Sequence, residues 1–258
     1  MAMNDWRPDP DMGVFETVLV VAGKPVELDR HLARLQRSLA EVYDEGLPAS
    51  AGEELRDAAE GISLGRLRLT VAPGKDGPRH HLLAGGVVPG AVFPEQGAHL
   101  HSHQVTGGHG SHKWVDRRGM EHPEDDPGQL ICDGEEVLEA GWANLFAVRE
   151  ETLWTPPLDG RILAGTARAA ILEIAEEEGV DNRENPIRVH DLPNAEETFL
   201  TNSIRGIEPA TALDGTPLPG CGPLSRRLAD ALRRRWGLQD PAAHKAAATA
   251  PKQSQLSH

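Results

Sequence analysis

The chain has 258 residues, a formal net charge of -14 at pH 7 and 39% hydrophobic residues. This length suits one large domain or two modest ones, and the charge disfavours nucleic acid and anionic membrane surfaces as partners. No apolar run approaches the roughly 20 residues needed to span a bilayer, and the N-terminus lacks the apolar core of a signal peptide, so we expect a cytoplasmic protein. Two cysteines, Cys132 and Cys221, make neither a disulfide framework nor a zinc site by themselves.

The first third of the chain predicts an α+β unit. Residues 13–21 are rich in β-branched and aromatic types and predict a strand that enters a hairpin. Asp29 is placed to cap a helix that stops at Gly46. Residues 66–72 alternate strictly between apolar and polar types, which predicts a half-buried strand, and a further strand is expected over 80–88.

Residues 89–112 show no clear period and contain many Gly, Pro and His residues, so their second half is interpreted as a linker between domains. The predicted division is an N-terminal α+β domain over 1–105, a linker over 106–112, a C-terminal α+β domain over 113–238 and a disordered tail over 239–258. In the second domain, strands are expected at 129–132, 145–149, 152–155, 197–201 and 207–213, with helices at 167–178 and 224–236.

Lys113 stands out because lysine is scarce in this chain. Only five of its 26 basic residues are lysines, and Lys113 is the one that lies between residue 75 and the tail, directly after a glycine-rich run. A desolvated lysine can lose its proton and attack a carbonyl as a neutral amine, whereas arginine stays protonated. A lysine in that role implies pyridoxal phosphate, which also needs a carboxylate at its pyridine nitrogen and a cup of donors for its phosphate.

Three further segments offer such groups, although each also has an ordinary structural explanation. Glu139 lies in an otherwise apolar stretch between strands, where a carboxylate needs a partner. Residues 163–168 form a glycine turn that opens a helix, which is an anion-binding terminus or simply a helix start. Residues 199–204 end a strand in three polar residues that could donate to phosphate oxygens or form an Asx turn.

Taken in order, these segments resemble the class IV aminotransferase family, the fold-type IV pyridoxal phosphate enzymes. The resemblance covers residues 12–227 and rests on blocks at 13–17, 31–38, Lys113, Glu139 with 144–146, 163–165, 201–203 and 206–209. It implies an α+β fold of two domains like that of D-amino acid aminotransferase, with the cofactor between the domains, a small-molecule substrate and a homodimer.

The resemblance also implies a role for individual residues. Lys113 would hold the cofactor and shuttle protons, Glu139 would pair with the pyridine nitrogen, and Arg34 would bind the phosphate. The phosphate cup would be completed by the backbone N–H groups of Thr166 and Ala167, by the hydroxyl of Ser203 and by Asn202.

Within the family, residues 113–117 look most like the corresponding segment of the aminodeoxychorismate lyases. This implies conversion of 4-amino-4-deoxychorismate to 4-aminobenzoate and pyruvate, a step toward folate, with Thr17 near the reacting carbon. Arg117 and Arg68 are the candidates for the two substrate carboxylates, because anionic groups need charge-assisted donors. The alternative is an aminotransferase of the same fold that acts on a D-amino acid or a branched-chain amino acid.

Three features depart from the family pattern. The chain has too few residues ahead of the first block for the usual leading hairpin, Ala72-Pro-Gly74 stands where relatives often carry arginine, and Asp116 replaces the more usual asparagine. The aspartate would add a negative charge near an acidic substrate.

Two interpretations from other classes remain open. A zinc site could be built from the histidines of the linker region, although a flexible His-rich linker explains them equally well and no metal is expected; they are His101, His103, His109 and His112. A cofactor-free binding protein descended from the enzyme is disfavoured, since Lys113 and Glu139 are both present.

Overall fold

A computed structural model gives the protein's structure and describes residues 7–75, 77–119 and 127–238. The predicted tail at 239–258 and the acidic run at 121–126 lie outside the described residues. None of the described helices is long and apolar enough to span a membrane.

The first half of the chain forms a four-stranded antiparallel sheet with the order β2-β1-β3-β4. Its elements are β1 (Val14–Val21), β2 (Lys24–Pro25), α1 (Leu28–Tyr43), α2 (Ala51–Ala59), β3 (Leu64–Ala72) and β4 (Arg79–Gly86). Alternate residues of β1 serve two cores. Val14 and Val20 pack with α1 and α2 on one face, whereas Leu19 and Val21 pack on the other face against the second half of the molecule.

The second half forms a ten-stranded sheet. Its strands are β5 (Ala98–Gln104), β6 (Gly128–Asp133), β7 (Glu136–Ala140), β8 (Ala143–Arg149), β9 (Thr152–Thr155), β10 (Asn182–Glu184), β11 (Ile187–Arg188), β12 (Glu197–Asn202), β13 (Gly206–Leu213) and β14 (Thr216–Pro217), and its helices are α3 (Thr166–Glu177) and α4 (Pro223–Arg235). The order is β10-β9-β8-β12-β13-β5-β6-β7-β11, with β14 on β13 and an additional β7–β8 pairing. That pairing closes six strands, β8-β12-β13-β5-β6-β7, into a ring.

Apolar residues from all six ring strands form one buried cluster, which fills the ring. The outer face of β8 and β12 carries Phe146 and Phe199, whose rings stack with centroids 5.2 Å apart. These rings pack with α3, α4 and the inner face of β1 in a second cluster. The two sheets are therefore joined by a continuous apolar core, and the functional site lies at the edge of this junction.

The fold class is confirmed, as are the strands and helices expected from periodicity, within one or two residues at most ends. Two expectations for α1 are wrong. The residue before α1 is Glu27, in a left-handed conformation with a φ of 50° and without a side-chain cap bond, rather than an Asp29 cap. The helix ends at Tyr43 with Asp44 left-handed, so Gly46 is not its stop.

The elements that were not expected are α2, β5 and β7, together with the short strands β10, β11 and β14. Glu139 therefore lies within a strand rather than between strands. Sheet membership also changes earlier than the linker, because β5 pairs in parallel with β6 and β13 of the larger sheet. The domain limits at 105 and 113 stay a prediction.

Candidate active site

A cleft opens between β1 and the outer face of the ring, where β7, β8 and β12 meet the start of α3. It is lined by Arg34, His109, Gly110, His112, Lys113, Arg117, Glu139, Ala140, Gly141, Trp142, Ala143, Asn144, Leu163, Gly165, Thr166, Ala167, Thr201, Asn202 and Ser203. Eight of the ten candidate residues lie in this cleft; the two that do not are Thr17 and Arg68.

Lys113 is fixed by the start of β1. Its carbonyl accepts a hydrogen bond of 2.9 Å from the Phe15 N–H, and the Val115 N–H donates to the Gly13 carbonyl at 2.9 Å. Gly13 has a φ of 94° there, and a Cβ on it would lie 2.3 Å from the Val71 carbonyl oxygen, so only glycine fits. Residues 113–115 thus pair with the start of β1 for a short stretch, and this pairing positions Lys113 in the cleft.

The pKa of the Lys113 amine is lower than that of an exposed lysine. Burial, followed by the charges of Arg117 and Arg34, lowers the pKa of Lys113 from 10.5 to about 7, while Glu16 and Glu139 oppose the shift. A large share of the amine is therefore neutral near pH 7, which is the form that attacks a carbonyl or accepts a proton.

Three polar side chains form a row across the outer face of the ring. Glu139 on β7 lies opposite Asn144 on β8, and Asn144 lies opposite Thr201 on β12. Directly opposed residues share a face, so this register places all three side chains in the cleft. All three are at least 93% buried, which is costly for polar groups without partners.

Glu139 is held at the floor of the cleft. Its Oε2 accepts hydrogen bonds from the Leu163 N–H at 3.2 Å and from Asn144 Nδ2 at 3.4 Å. Burial raises the pKa of Glu139 to about 8, although the Leu163 N–H and the charges of Arg117 and Lys113 favour the ionised form. The same Asn144 amide donates to the Leu163 carbonyl at 2.9 Å and so ties the floor to the turn before α3.

Arg34 and the first turn of α3 form the opposite end of the cleft. Arg34 donates from Nη1 to the Ala164 carbonyl at 2.7 Å and makes two bonds of 2.7 Å to Glu16. Thr166 and Ala167 begin α3, whose preceding residue Gly165 supplies no side-chain cap. Their backbone N–H groups therefore present the positive end of a helix dipole to the cleft beside an arginine.

The side chains of Asn202 and Ser203 line the cleft but already have partners. Asn202 Nδ2 donates to the Trp142 carbonyl at 2.6 Å, and its Oδ1 accepts from the Ile204 and Arg205 N–H groups. The Ser203 hydroxyl donates to the Thr17 carbonyl at 3.0 Å. A hydroxyl has one proton to donate, so Ser203 must rotate before it can donate to a phosphate.

Three cationic side chains lie near the ring of Phe15. The guanidinium carbon of Arg68 lies 3.7 Å from the centroid of the Phe15 ring, Lys113 Nζ lies 4.9 Å from it, and the guanidinium carbon of Arg117 lies 5.9 Å away. Arg117 also donates to the Gly141 carbonyl. Thr17 lies opposite Arg68 on β3, so Thr17 and Arg68 stand just outside the cleft on the same face as Phe15.

Asp116 does not add an uncompensated charge to the cleft, contrary to the sequence-based expectation. Its carboxylate accepts from the Asp9 N–H at 3.0 Å and from Arg118 Nη2 and Nε at 2.8 and 2.9 Å. These bonds hold the pKa of Asp116 well below its usual range. It is fully buried and absent from the cleft lining, so it anchors the chain after Lys113.

The four histidines of the zinc hypothesis are dispersed. His101 and His103 lie on β5, His109 and His112 line the cleft, and His112 contacts Ser38 Oγ at 3.1 Å. Within residues 7–75, 77–119 and 127–238, no three His, Cys, Asp or Glu side chains are grouped closely enough to hold a metal ion. Burial lowers the pKa of His109 to about 4, so it lines the cleft as a neutral ring.

Comparison with known proteins agrees with this geometry. The profile of the family described as amino-transferase class IV matches residues 13–90 and 122–213. The chain belongs to this family. Its members are enzymes that depend on pyridoxal phosphate.

Individual relatives differ in activity. D-alanine aminotransferase from Listeria monocytogenes serotype 1/2a is 28% identical over 84% of each chain. The crystal structure of 4-amino-4-deoxychorismate lyase from Pseudomonas aeruginosa is 30% identical, covers 91% of this chain and 96% of its own, and has a TM-score of 0.74. A PLP-bound hypothetical aminotransferase from Mycobacterium tuberculosis, 22% identical, covers 93% and 96% with a TM-score of 0.74 and shares the fold.

The residues of the cleft fit pyridoxal phosphate. Thr201 Oγ1 is buried and has no hydrogen-bond partner among the described residues, so a polar group in the cleft would satisfy it. Among the described residues no cation forms an ion pair with the buried carboxyl of Glu139, which suits a protonated ring nitrogen. The cofactor, when bound, supplies an electron sink for the carbon that bears the substrate's amine.

Sequence reasoning missed several residues of the site. Asn144 and Thr201 belong to the sequence blocks that resemble the family, but only the register of β7, β8 and β12 reveals that they share a row with Glu139. Phe15 and Glu16 were read as strand residues. The alternation of β1 could have assigned them to opposite faces, but it does not say what each face contacts.

Proposed function

We propose that the protein converts 4-amino-4-deoxychorismate to 4-aminobenzoate and pyruvate with pyridoxal phosphate bound at Lys113. The observation that carries the proposal is the pair of arginines beside the reactive amine. Arg117 and Arg68 approach the same Phe15 ring as Lys113 Nζ, at 5.9 and 3.7 Å from its centroid. Arg117 donates to the Gly141 carbonyl, and within the described part of the chain neither Arg117 nor Arg68 forms an ion pair with a carboxylate, so both can serve a substrate that has two carboxylates.

The proposed lyase reaction requires a group that removes a proton from the substrate and later donates one. Lys113, with its pKa near 7, removes the proton from the carbon that bears the amine and then donates to the departing enolpyruvyl group. Glu139 would pair with the ring nitrogen of the bound cofactor and favour its protonated form. The two products together contain the same atoms as the substrate, so the reaction needs no second substrate.

Transamination of a D-amino acid is the second candidate, because the D-alanine aminotransferase of Listeria monocytogenes aligns with most of this chain. The residues that hold the cofactor would be the same, since substrate choice lies in the surrounding pocket. Transamination requires a 2-oxo acid as acceptor, and this requirement separates the two candidates.

The test measures 4-aminobenzoate and pyruvate from freshly prepared 4-amino-4-deoxychorismate, with pyridoxal phosphate and without any 2-oxo acid. We expect equimolar products from the wild type and none from Lys113→Ala. D-Alanine with 2-oxoglutarate is run beside it. Turnover of that pair alone, with no 4-aminobenzoate, would overturn the lyase proposal in favour of transamination.

A further inference from the structure

Behind the phosphate end of the cleft lies a buried polar cluster formed by Glu16, His31, Arg34 and Thr166. Its four members come from three elements: β1, α1 and α3. Glu16 is 2% exposed and His31 1% exposed, and neither lines the cleft. Replacing a buried ion pair by well-packed apolar residues is often neutral or stabilising. Stability alone therefore does not explain why this cluster is present.

One branch of the cluster fixes the guanidinium of Arg34. Glu16 Oε1 accepts from Arg34 Nε and Glu16 Oε2 accepts from Nη2, both at 2.7 Å, in a two-pronged pair. The Ala164 carbonyl accepts from Nη1. These three bonds use three of the five guanidinium N–H groups, which leaves one on each terminal nitrogen for a ligand. Arg34 can therefore meet a phosphate without first being ordered.

The other branch reaches the first turn of α3. His31 Nδ1 lies 2.6 Å from Glu16 Oε2, and its Nε2 lies 3.3 Å from the Thr166 hydroxyl. The guanidinium of Arg34 holds the pKa of Glu16 well below its usual range, so the Glu16 carboxylate is ionised and accepts a hydrogen bond from the Nδ1–H of His31, whose own pKa burial lowers. Nε2 of a neutral His31 then accepts from the Thr166 hydroxyl, which leaves the Thr166 backbone N–H as its donor toward the cleft.

We infer that Glu16 and His31 are positioning residues for the phosphate of pyridoxal phosphate. Glu16 orients Arg34 directly and orients Thr166 through His31, so that a single carboxylate on β1 aligns donors from both halves of the molecule. The inference rests on the cofactor binding that the proposed function requires. The specificity for the phosphorylated cofactor then depends on Arg34 and Thr166 and also on two residues that do not line the cleft.

The test compares equilibrium binding of pyridoxal 5′-phosphate and of pyridoxal to the full-length protein after removal of its cofactor. Loss of a charged hydrogen-bond partner misplaces Arg34, so Glu16→Gln should lower the preference for the phosphorylated form by about tenfold or more. Affinity for pyridoxal itself should stay within about twofold. In Arg34→Met the preference is lost, and adding Glu16→Gln to that variant should cause no further loss.

Glu197 provides a matched control. It is also a buried carboxylate, 4% exposed, and it accepts from the N–H groups of Gly222, Leu224 and Ser225 at the start of α4, away from the cleft. Glu197→Gln should leave the ratio of the two affinities unchanged. If Glu16→Gln does not fold, His31→Gln carries the test, because it keeps the Glu16–Arg34 pair and should lower the ratio by about threefold.

The outcomes separate the two proposals. A wild type that prefers the phosphorylated cofactor, with a Glu16→Gln variant of equal preference, overturns the positioning role alone. Equal weakening of both ligands by Glu16→Gln would make Glu16 merely structural and also overturns it. A wild type that does not distinguish pyridoxal 5′-phosphate from pyridoxal overturns the phosphate site and the proposed function with it.

Discussion

Each of the two walls of the cleft buries a carboxylate, and the two environments shift its pKa in opposite directions. On the β1 wall, Glu16 contacts the guanidinium of Arg34 and the ring of His31, and the pKa of Glu16 lies well below its usual range. On the ring wall, the carboxyl of Glu139 accepts from the Leu163 N–H and the Asn144 amide, and burial raises the pKa of Glu139 to about 8. The difference lies in cations within contact distance rather than in burial. The carboxylate of Glu16 is therefore paired within the protein, whereas Glu139 has no charged partner among the described residues.

Lys113 lies between the walls, so its removal should have the largest effect. Lys113→Ala should lower 4-aminobenzoate formation by more than about 10⁴-fold, because both the covalent attachment and the proton transfer are lost. Lys113→Arg is the matched control for charge. It keeps a cation but cannot become neutral, so it should be equally inactive. Substantial turnover by the alanine variant, with circular dichroism like that of the wild type, would contradict the assignment.

The contrast between the walls predicts opposite stability changes for the same substitution. Glu16→Gln leaves Arg34 buried without its carboxylate and should lower the free energy of unfolding of the cofactor-free protein by about 3 kcal/mol. Glu139→Gln removes a carboxylate that no cation of the described residues contacts, so it should be neutral or stabilising at pH 8. Urea unfolding of both variants measures the two changes. Equal destabilisation by both would remove the distinction between the walls.

The pH dependence of stability should differ in sign as well. The folded-state pKa of Glu139 is raised from 4.5 to about 8, so the folded protein binds more protons than the unfolded chain between these values, and stability falls as pH rises through this window. Glu16 has a depressed pKa, so its contribution is present above about pH 4.5 and is lost as pH falls. The excess stability of Glu139→Gln over wild type should therefore grow from pH 5 to pH 8.

Only part of the fold and of the two walls could be predicted from the sequence. Periodicity located most strands and both long helices of the second half, and Lys113, Glu139 and Arg34 were found from motifs. Asn144 and Thr201 were not assigned to the site, because their position depends on the register of three strands that are distant in sequence. The Glu16 cluster joins β1 to α3 across 150 residues, and no local pattern encodes such a contact.

Strand β5 could not be predicted from the sequence either, because its conformation also depends on distant partners. Its alternating histidines were read as part of a linker region, since His is not a strong strand former and the neighbouring residues are rich in Gly and Pro. Pairing with β6 and β13 on both sides makes the segment a ring strand. The tertiary partners, rather than the composition, decide its conformation.

Gly165 packs directly against the side chain of Asn144 on the ring wall, so a substitution there tests whether this close contact matters. A Cβ at this position would lie 2.0 Å from Asn144 Oδ1, and the Asn144 side chain would have to move. Gly165→Ala should therefore break the bonds of Asn144 to Leu163 and Glu139, cost about 1 to 3 kcal/mol and weaken cofactor binding about tenfold. Gly46→Ala, which adds a Cβ with nothing within 4 Å, is the control for thermal unfolding and cofactor titration. Wild-type affinity in Gly165→Ala would show that Asn144 does not set the floor.

Arg117 should have the smallest effect, and it tests whether charge rather than burial alone tunes the amine between the walls. After burial, Arg117 is the largest cause of the depressed Lys113 pKa. Below that pKa the amine is protonated and cannot attack, so capture of pyridoxal phosphate by the cofactor-free protein should accelerate as pH rises through about 7. Arg117→Met removes the nearby charge and should move this midpoint upward by about one pH unit. Arg66→Met, which removes an exposed arginine from the same sheet as Arg68, should leave the midpoint in place. Equal midpoints in all three proteins would assign the depressed pKa to burial alone, and Arg117 would then be left with the substrate carboxylate as its role.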